Sequence, residues 1–362
     1  MWKHFPANDP ERAMRSKTLK ASVALTSAAV LTLAALAAPA ADAKPPTGAT
    51  TAKALVFIPN PVQSSGNEGL TDQKDSATAV PRGAYYEVTL TDLDGSGYLN
   101  GTWANVKSAT GTPAYTTNGT YFYDRHDDQF EQVMAYFWGT QAQKYLQSLG
   151  FGRDLPAVNA ESQDYKVDQY GVDNSFSWDK HDTITLGKGG VDDAEDGEVI
   201  VHETGHAVHD AQVPGFGTSL EAGSIGEAWG DYFAVTVGEW VAKQYGVPVA
   251  ADLACVMDWD ATSYTSTVPH CLRRLDAGKH YPEDVVGEVH ADGEIWSQAL
   301  YQIRTALGPA VADRIIVDAQ FGFAPDTSFA AAARQTVATA RSLYGPSQAT
   351  VVQKAFADRG IL

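Results

Sequence analysis

The segment Glu198-Val199-Ile200-Val201-His202-Glu203-Thr204-Gly205-His206-Ala207-Val208-His209-Asp210 decides the reading of this chain. It follows the acidic run Asp192, Asp193, Glu195 and Asp196, and Pro214-Gly215 stands after it. Acidic residues in a first turn and Pro-Gly beyond the end predict a helix from Glu195 to Ala211. Residues four apart on a helix lie one above the other on one face. His202 and His206 can therefore grip one metal ion, with Glu203 beside them and within reach of a metal-bound water. Two imidazoles plus a carboxylate suit zinc, with water in the open fourth position. Glu203 would take the proton of that water and pass it to a leaving amine. The five-residue pattern arises by chance in roughly one such chain in a hundred, so a third ligand matters. His209 is a poor one, because seven residues of helix separate it from His202 by about 10.5 Å. Position 212, where some zinc enzymes place a third histidine, is Gln212.

Downstream lies Glu221-Ala222-Gly223-Ser224-Ile225-Gly226-Glu227-Ala228-Trp229-Gly230-Asp231-Tyr232-Phe233. Glu227 and Asp231 share a helix face. One can bind the metal while the other accepts the remaining N–H of a ligand histidine, fixing its tautomer. Glu221 is the rival ligand, and Glu227 is preferred for its Asp231 partner.

Working outward, residues 83–125 read as β, and residues 164–187 as extended again. Phe130, Val133, Phe137, Tyr145 and Leu149 fall near a 3.6 period, predicting a helix that Gly150 ends, although Thr140 and Gln141 interrupt the stripe. Beyond Ser219 the chain reads as mostly helical, with Ile295, Trp296, Ala299, Leu300, Ile303 and Leu307 forming one stripe. The expected class is α+β: a β-rich lobe, a central helix and a helical lobe. The divisions are 1–43, 44–80 as a leader or short pro-like segment, 81–212 as the β-rich lobe with the active-site helix, and 213–362 as the helical lobe. Asp92-Leu93-Asp94-Gly95-Ser96-Gly97 begins like a calcium loop, but Trp103 stands where that loop needs a bidentate carboxylate. A hairpin turn is the better reading.

The first 20 residues carry Lys3, Arg12, Arg15, Lys17 and Lys20, followed by an apolar run and Ala41-Asp42-Ala43. That order predicts a signal peptide cut after Ala43 and an exported protein, with a membrane anchor as the lesser alternative. The net charge of −18 and the absence of Lys/Arg clusters argue against nucleic acid or an anionic membrane as partners. In an exported protein the only two cysteines, Cys255 and Cys271, are expected to form a disulfide.

His-Glu-x-x-His with Glu-x-x-x-Asp some way downstream resembles the gluzincin zinc metallopeptidases of the thermolysin group. The wording of residues 221–233 is closer to the fungalysin branch. The resemblance runs over roughly 120–362, strongest at 195–233 and 286–307. It implies a two-lobed thermolysin-like fold and a secreted endopeptidase acting on proteins or peptides. It implies zinc on His202, His206 and Glu227, Glu203 as general base and Asp231 behind His202. The similarity continues at Val289-His290-Ala291-Asp292-Gly293-Glu294-Ile295-Trp296, which gives His290 the role of stabilising the oxyanion, oriented by Asp284 or Glu288. Asn174-Ser175-Phe176 resembles the edge segment that hydrogen-bonds substrate backbone, so Asn174 is a candidate substrate-binding residue. Calcium is a candidate second cofactor at Asp192, Asp193, Glu195 and Asp196, with a solvated helix-capping run as the equal alternative. Family members usually carry a large inhibitory propeptide. The segment 44–80 is short for one, so latency is handled otherwise or activity is low. A non-catalytic zinc-stabilised binding protein and an exopeptidase are the rival functions.

Overall fold

The structure, a computed structural model, describes residues 49–109, 111–248 and 252–362, all within the unit Thr47–Leu362. The expected signal peptide lies outside the described residues. The strands are β1 (Ala52–Val56), β2 (Tyr86–Leu90), β3 (Ala104–Ala109), β4 (Thr120–Tyr121), β5 (Gln163–Tyr170), β6 (Phe176–Trp178), β7 (Thr183–Gly187), β8 (Cys255–Val256) and β9 (Arg273–Arg274). The α-helices are α1 (Pro61–Ser65), α2 (Asp128–Ser148), α3 (Gly197–Gln212), α4 (Leu220–Tyr245), α5 (Val289–Leu307), α6 (Pro309–Gln320), α7 (Phe329–Tyr344) and α8 (Pro346–Ala357).

The N-terminal part is strand-rich. One sheet has the order β2-β1-β4, with β1 antiparallel to β2 and parallel to β4. Ala52 to Val56, inside the segment read as a leader, is thus the central strand of a sheet. The second sheet has the order β3-β5-β7-β6, with β6 antiparallel to β7 at one edge. The turn beginning at Asp92 is closed by an antiparallel bridge between Leu93 and Gly101 and by Asp94 N–H to the Asn100 carbonyl.

Helix α2 begins and ends close to where its apolar spacing places it. The interrupted stripe has a simple cause, since Thr140 and Gln141 are themselves buried along with both flanking faces. A helix enclosed on all sides needs no amphipathic period. The C-terminal part is helical, as its sequence predicts. Ser219 caps α4 by accepting the Ala222 N–H, and Gly246 ends it in the left-handed region at φ 66°. No helix among the described residues is long and apolar enough to cross a membrane.

Two of these helices carry the site, and two glycines let them approach. A Cβ on Gly205 of α3 would stand 3.2 Å from the Gly230 Cα of α4, and one on Gly230 would stand 2.6 Å from His202 Nδ1. Ordinary side chains here would hold the helices apart.

Candidate metal centre

Helix α3 starts at Asp196, whose side chain accepts the Glu198 N–H and completes the first turn. From there the four-residue repeat carries His202 and His206 to one face, and the register of α4 brings Glu227 opposite them. His202 Nε2 and His206 Nε2 lie 3.1 Å apart. Glu227 Oε2 is 3.3 Å from the first and its Oε1 is 3.7 Å from the second. His202 and Glu227 are buried, while His206 is 22% exposed and forms the solvent side of the cluster.

Behind the histidines stands an anion held in place. Asp231 Oδ1 lies 2.9 Å from His202 Nδ1, and Arg273 clamps the same carboxylate with Nε to Oδ2 at 2.6 Å and Nη2 to Oδ1 at 2.7 Å. Burial alone would raise the Asp231 pKa, but Arg273 and His202 together bring it down to about 2. An ionised Asp231 accepts a proton-bearing Nδ1, and this leaves Nε2 as the His202 atom for a metal. Burial also works against charge on His202, yet its bonds to Asp231 and Glu227 prevail and push it up to about 9. Glu227 is held well below the carboxylate range despite its burial, because His206, His290 and His202 surround it.

This donor set fits zinc. Ligand atoms of His202, His206 and Glu227 all lie within 4.8 Å of one another. Two imidazole nitrogens and one carboxylate oxygen, with one solvent-facing side, are the set of a catalytic rather than a closed structural zinc site.

The neighbouring groups follow. Glu203 is buried, the Ser177 backbone N–H donates to its carboxylate, and its Oε2 has no hydrogen-bond partner. Burial first, and then Glu227, raise it to about 7 against the opposing pull of His202. His290 Nε2 lies 3.2 Å from Glu227 Oε2, so α5 brings this ring to the cluster. Of the two carboxylates considered for it, Glu288 touches Nδ1 at 2.6 Å. The same side chain caps α5 by accepting the His290 and Ala291 N–H groups. Asp284 instead accepts the His280 N–H. With His280, Tyr281 and Asp358 it lines a cavity of about 440 Å³ that none of the metal-cluster residues borders.

The remaining candidates make other contacts. Glu221 is engaged by the Tyr281 hydroxyl at 3.0 Å and the Phe329 N–H at 2.6 Å. His209 is buried against Phe216, with ring centroids 3.7 Å apart, and burial lowers its pKa to about 3. Gln212 donates to the Val317 carbonyl. Asn174 is buried just ahead of β6 and its amide donates to the Ser175 carbonyl. Cys255 and Cys271 form a disulfide, and Cys255 lies in β8, whose partner strand β9 presents Arg273.

The acidic run is not solvated. Asp192, Asp193, Glu195 and Asp196 are all buried, which removes the exposed-run alternative. Glu195 meets Arg125 through Nε at 2.9 Å and Nη2 at 2.8 Å, and Asp196 caps α3. Arg273 is the functional residue that sequence reasoning missed. No local spacing ties it to Asp231, which is 42 positions away.

Comparison with known proteins bears on the fold. Residues 215–361 match the family described as thermolysin metallopeptidase, alpha-helical domain. The extracellular metalloproteinase mep of Aspergillus flavus is 28% identical over 124 residues, covering 29% of this chain and 17% of that protein. Extracellular metalloproteinase 1 of Phaeosphaeria nodorum is 27% identical over 146 residues, covering 37% and 21%. The chain thus spans about a fifth of the length of these relatives. Among solved structures, the precursor of protealysin, a metalloproteinase from Serratia proteamaculans, superposes with a TM-score of 0.53 at 20% identity, over 72% of this chain and 87% of that one. The helical C-terminal part of this chain is therefore similar to the thermolysin metallopeptidase alpha-helical domain, and the chain has a thermolysin-like fold.

Proposed function

We propose that this chain is a zinc-dependent endopeptidase that works outside the cell and cleaves peptide bonds in proteins or peptides. The convergence of His202, His206 and Glu227 beside Glu203 carries this reading. Export is supported by the basic, apolar and small-residue order of residues 1–43 and by the extracellular relatives.

When bound, zinc supplies Lewis acidity, which polarises a carbonyl and acidifies water. The protein's own groups do the rest. Asp231 and Arg273 fix His202. Glu203 offers a carboxylate oxygen with no hydrogen-bond partner, which can take a proton and then return it to a leaving amine. His290, with Nδ1 on the Glu288 carboxylate, directs its Nε2 toward the same space and can donate to negative charge as it develops. A binding protein with a purely structural zinc would have no use for Glu203 or for His290.

Glu203→Gln tests the reading. The variant should hold one zinc per chain and lose casein hydrolysis by about 10²-fold or more. Hydrolysis at the wild-type rate would remove Glu203 from the reaction.

A further inference from the structure

The loop that leads into α5 is exposed from residue 282 to residue 288, with Val286 70% accessible. Part of its hydrogen bonding is local, from the Asp284 N–H to the His280 carbonyl and from the Val285 N–H to the Pro282 carbonyl. The N–H groups just before Glu288 are held differently. Val286 N–H donates to Asp292 Oδ1 at 2.7 Å, and Gly287 N–H donates to Asp292 Oδ2 at 3.0 Å. Both oxygens of one carboxylate thus grip one short stretch of backbone.

Asp292 is well anchored for this task. It is buried and lies in the first turn of α5. Beside it, a Cβ on Gly293 would stand 3.0 Å from the Ser224 carbonyl oxygen and 3.5 Å from the Glu227 Cβ. The first turn of α5 is therefore packed against the part of α4 that carries Glu227. Gly287 supplies the bend at φ 80°, in the region that favours glycine. The chain then enters Glu288, whose carboxylate meets His290 Nδ1 at 2.6 Å and the Ala291 N–H at 2.8 Å. The Glu288 carbonyl accepts the Asp292 N–H at 2.8 Å, so residues 288 and 292 are tied in both directions.

We propose that Asp292 is a positioning residue for the reaction: it fixes the backbone of Val286 and Gly287, so that Glu288 stays on His290 Nδ1 and Nε2 stays aimed at the metal cluster. Glu288 and the loop before it stand in water, where a carboxylate and a backbone can choose solvent partners and gain conformational freedom. A charged acceptor bonded to both N–H groups opposes that freedom more strongly than a neutral one would. The stakes are kinetic, since a reacting group displaced by about 1 Å can cost on the order of 10²-fold in rate. The fold depends on the clamp far less, because water can take over two N–H groups of an exposed loop. The proposal rests on the peptidase reading, and it adds a residue that acts only through its neighbours.

The test uses the full zinc-loaded chain. Asp292→Ala should keep zinc and native circular dichroism, while kcat on one peptide falls roughly tenfold with KM nearly unchanged. Glu288→Gln should fall by a similar factor, and the D292A/E288Q double variant should fall no further, because both changes act on the same ring. Gly287→Ala, whose methyl would meet nothing within 4 Å, strains only the bend and should lower kcat in the same way. It serves also if D292A does not fold. A second readout needs no hydrolysis. In protein carrying isotope-labelled histidine, D292A and G287A should move the His290 ring signals toward their positions in E288Q, with His290 identified by its loss in H290N. Wild-type kcat and wild-type ring signals in D292A and G287A would overturn the proposal, as would losses in D292A and E288Q that multiply in the double variant. If wild type itself cleaves nothing, the peptidase reading fails, while the ring signals still decide whether Asp292 holds Glu288 on His290.

Discussion

Arg273 holds Asp231 by two nearly parallel N–H···O bonds of 2.6 and 2.7 Å, and the same carboxylate faces His202 Nδ1. The pair is buried, so its charges depend on each other. Arg273→Met would leave Asp231 as an unpaired buried anion, at a cost of about 3–5 kcal/mol. Zinc affinity should also fall about 10–100-fold, because the carboxylate that orients His202 loses its own support. A chelator-competition titration and a urea melt measure the two effects. Adding Asp231→Asn should recover part of the stability but not the zinc affinity. If R273M binds zinc as wild type does, the ion pair is not what positions His202.

Gly230→Ala makes a second case, because its sign is unusual. In an exposed helix the change would stabilise by about 1 kcal/mol. Here the new methyl carbon would stand 2.6 Å from His202 Nδ1, in the space the Asp231 bond uses. The expected outcome is a lower melting temperature together with weaker zinc binding. A neutral or stabilised G230A with full zinc content would mean that α3 and α4 can separate without cost.

How much of this was readable in the chain differs by residue. His202, Glu203 and His206, like Glu227 and Asp231, belong to spacings of one helical turn, and helix geometry converts such spacings directly into shared faces. Glu288 and Asp284 are both close to His290 in sequence, and only the fold distinguishes them by bringing Glu288 to Nδ1. Arg273 reaches Asp231 only through the β8–β9 pair and the fold of the intervening loop, and no periodicity encodes that. Burial of the 192–196 acids was equally hidden. Their composition reads as surface, and the partners that accommodate two of them, Asn60 for Asp196 and Arg125 for Glu195, lie at least 70 positions away. Strand β1 was missed because five residues with two alanines and a lysine give little alternation to detect.

Glu288 does two things at once, and a conservative change can separate them. Glu288→Gln keeps an oxygen to accept the His290 and Ala291 N–H groups, so the α5 cap and the melting temperature should hold. It removes the negative charge beside His290 Nδ1. The prediction is a fall in kcat on the order of tenfold with KM nearly unchanged, smaller than the ~10²–10³-fold expected from losing an oxyanion donor outright. Steady-state kinetics on one peptide substrate measures both constants. A loss confined to KM would place His290 in substrate binding instead of charge stabilisation.

The buried acids near α3 and β5 give the metal-free protein an inverted response to acid. Burial above all raises Asp168 to about 8, Asp192 to about 7 and Asp196 to about 6. In the unfolded chain an aspartate titrates near ~3.9. Between these limits the folded state binds more protons than the unfolded state, so folding gains stability as pH falls. His202, raised to about 9, acts in the same sense, because its contribution is complete below the ordinary histidine range and is lost as pH rises through 9. Asp231 and His209 act oppositely. The Asp231 contribution is present above ~3.9 and disappears as pH falls toward 2, and His209, lowered to about 3, costs stability as pH falls below the ordinary histidine range, an effect smaller than the summed gain of the raised acids and His202. The urea midpoint of the metal-free protein should therefore increase from pH 8 to pH 5 and decline only below about pH 4. Midpoints at pH 8, 6.5, 5 and 3 are sufficient to see it. A midpoint that decreases steadily from pH 8 downward would mean that these carboxylates are ionised in the folded protein, which requires cations or solvent at the cluster even without added metal.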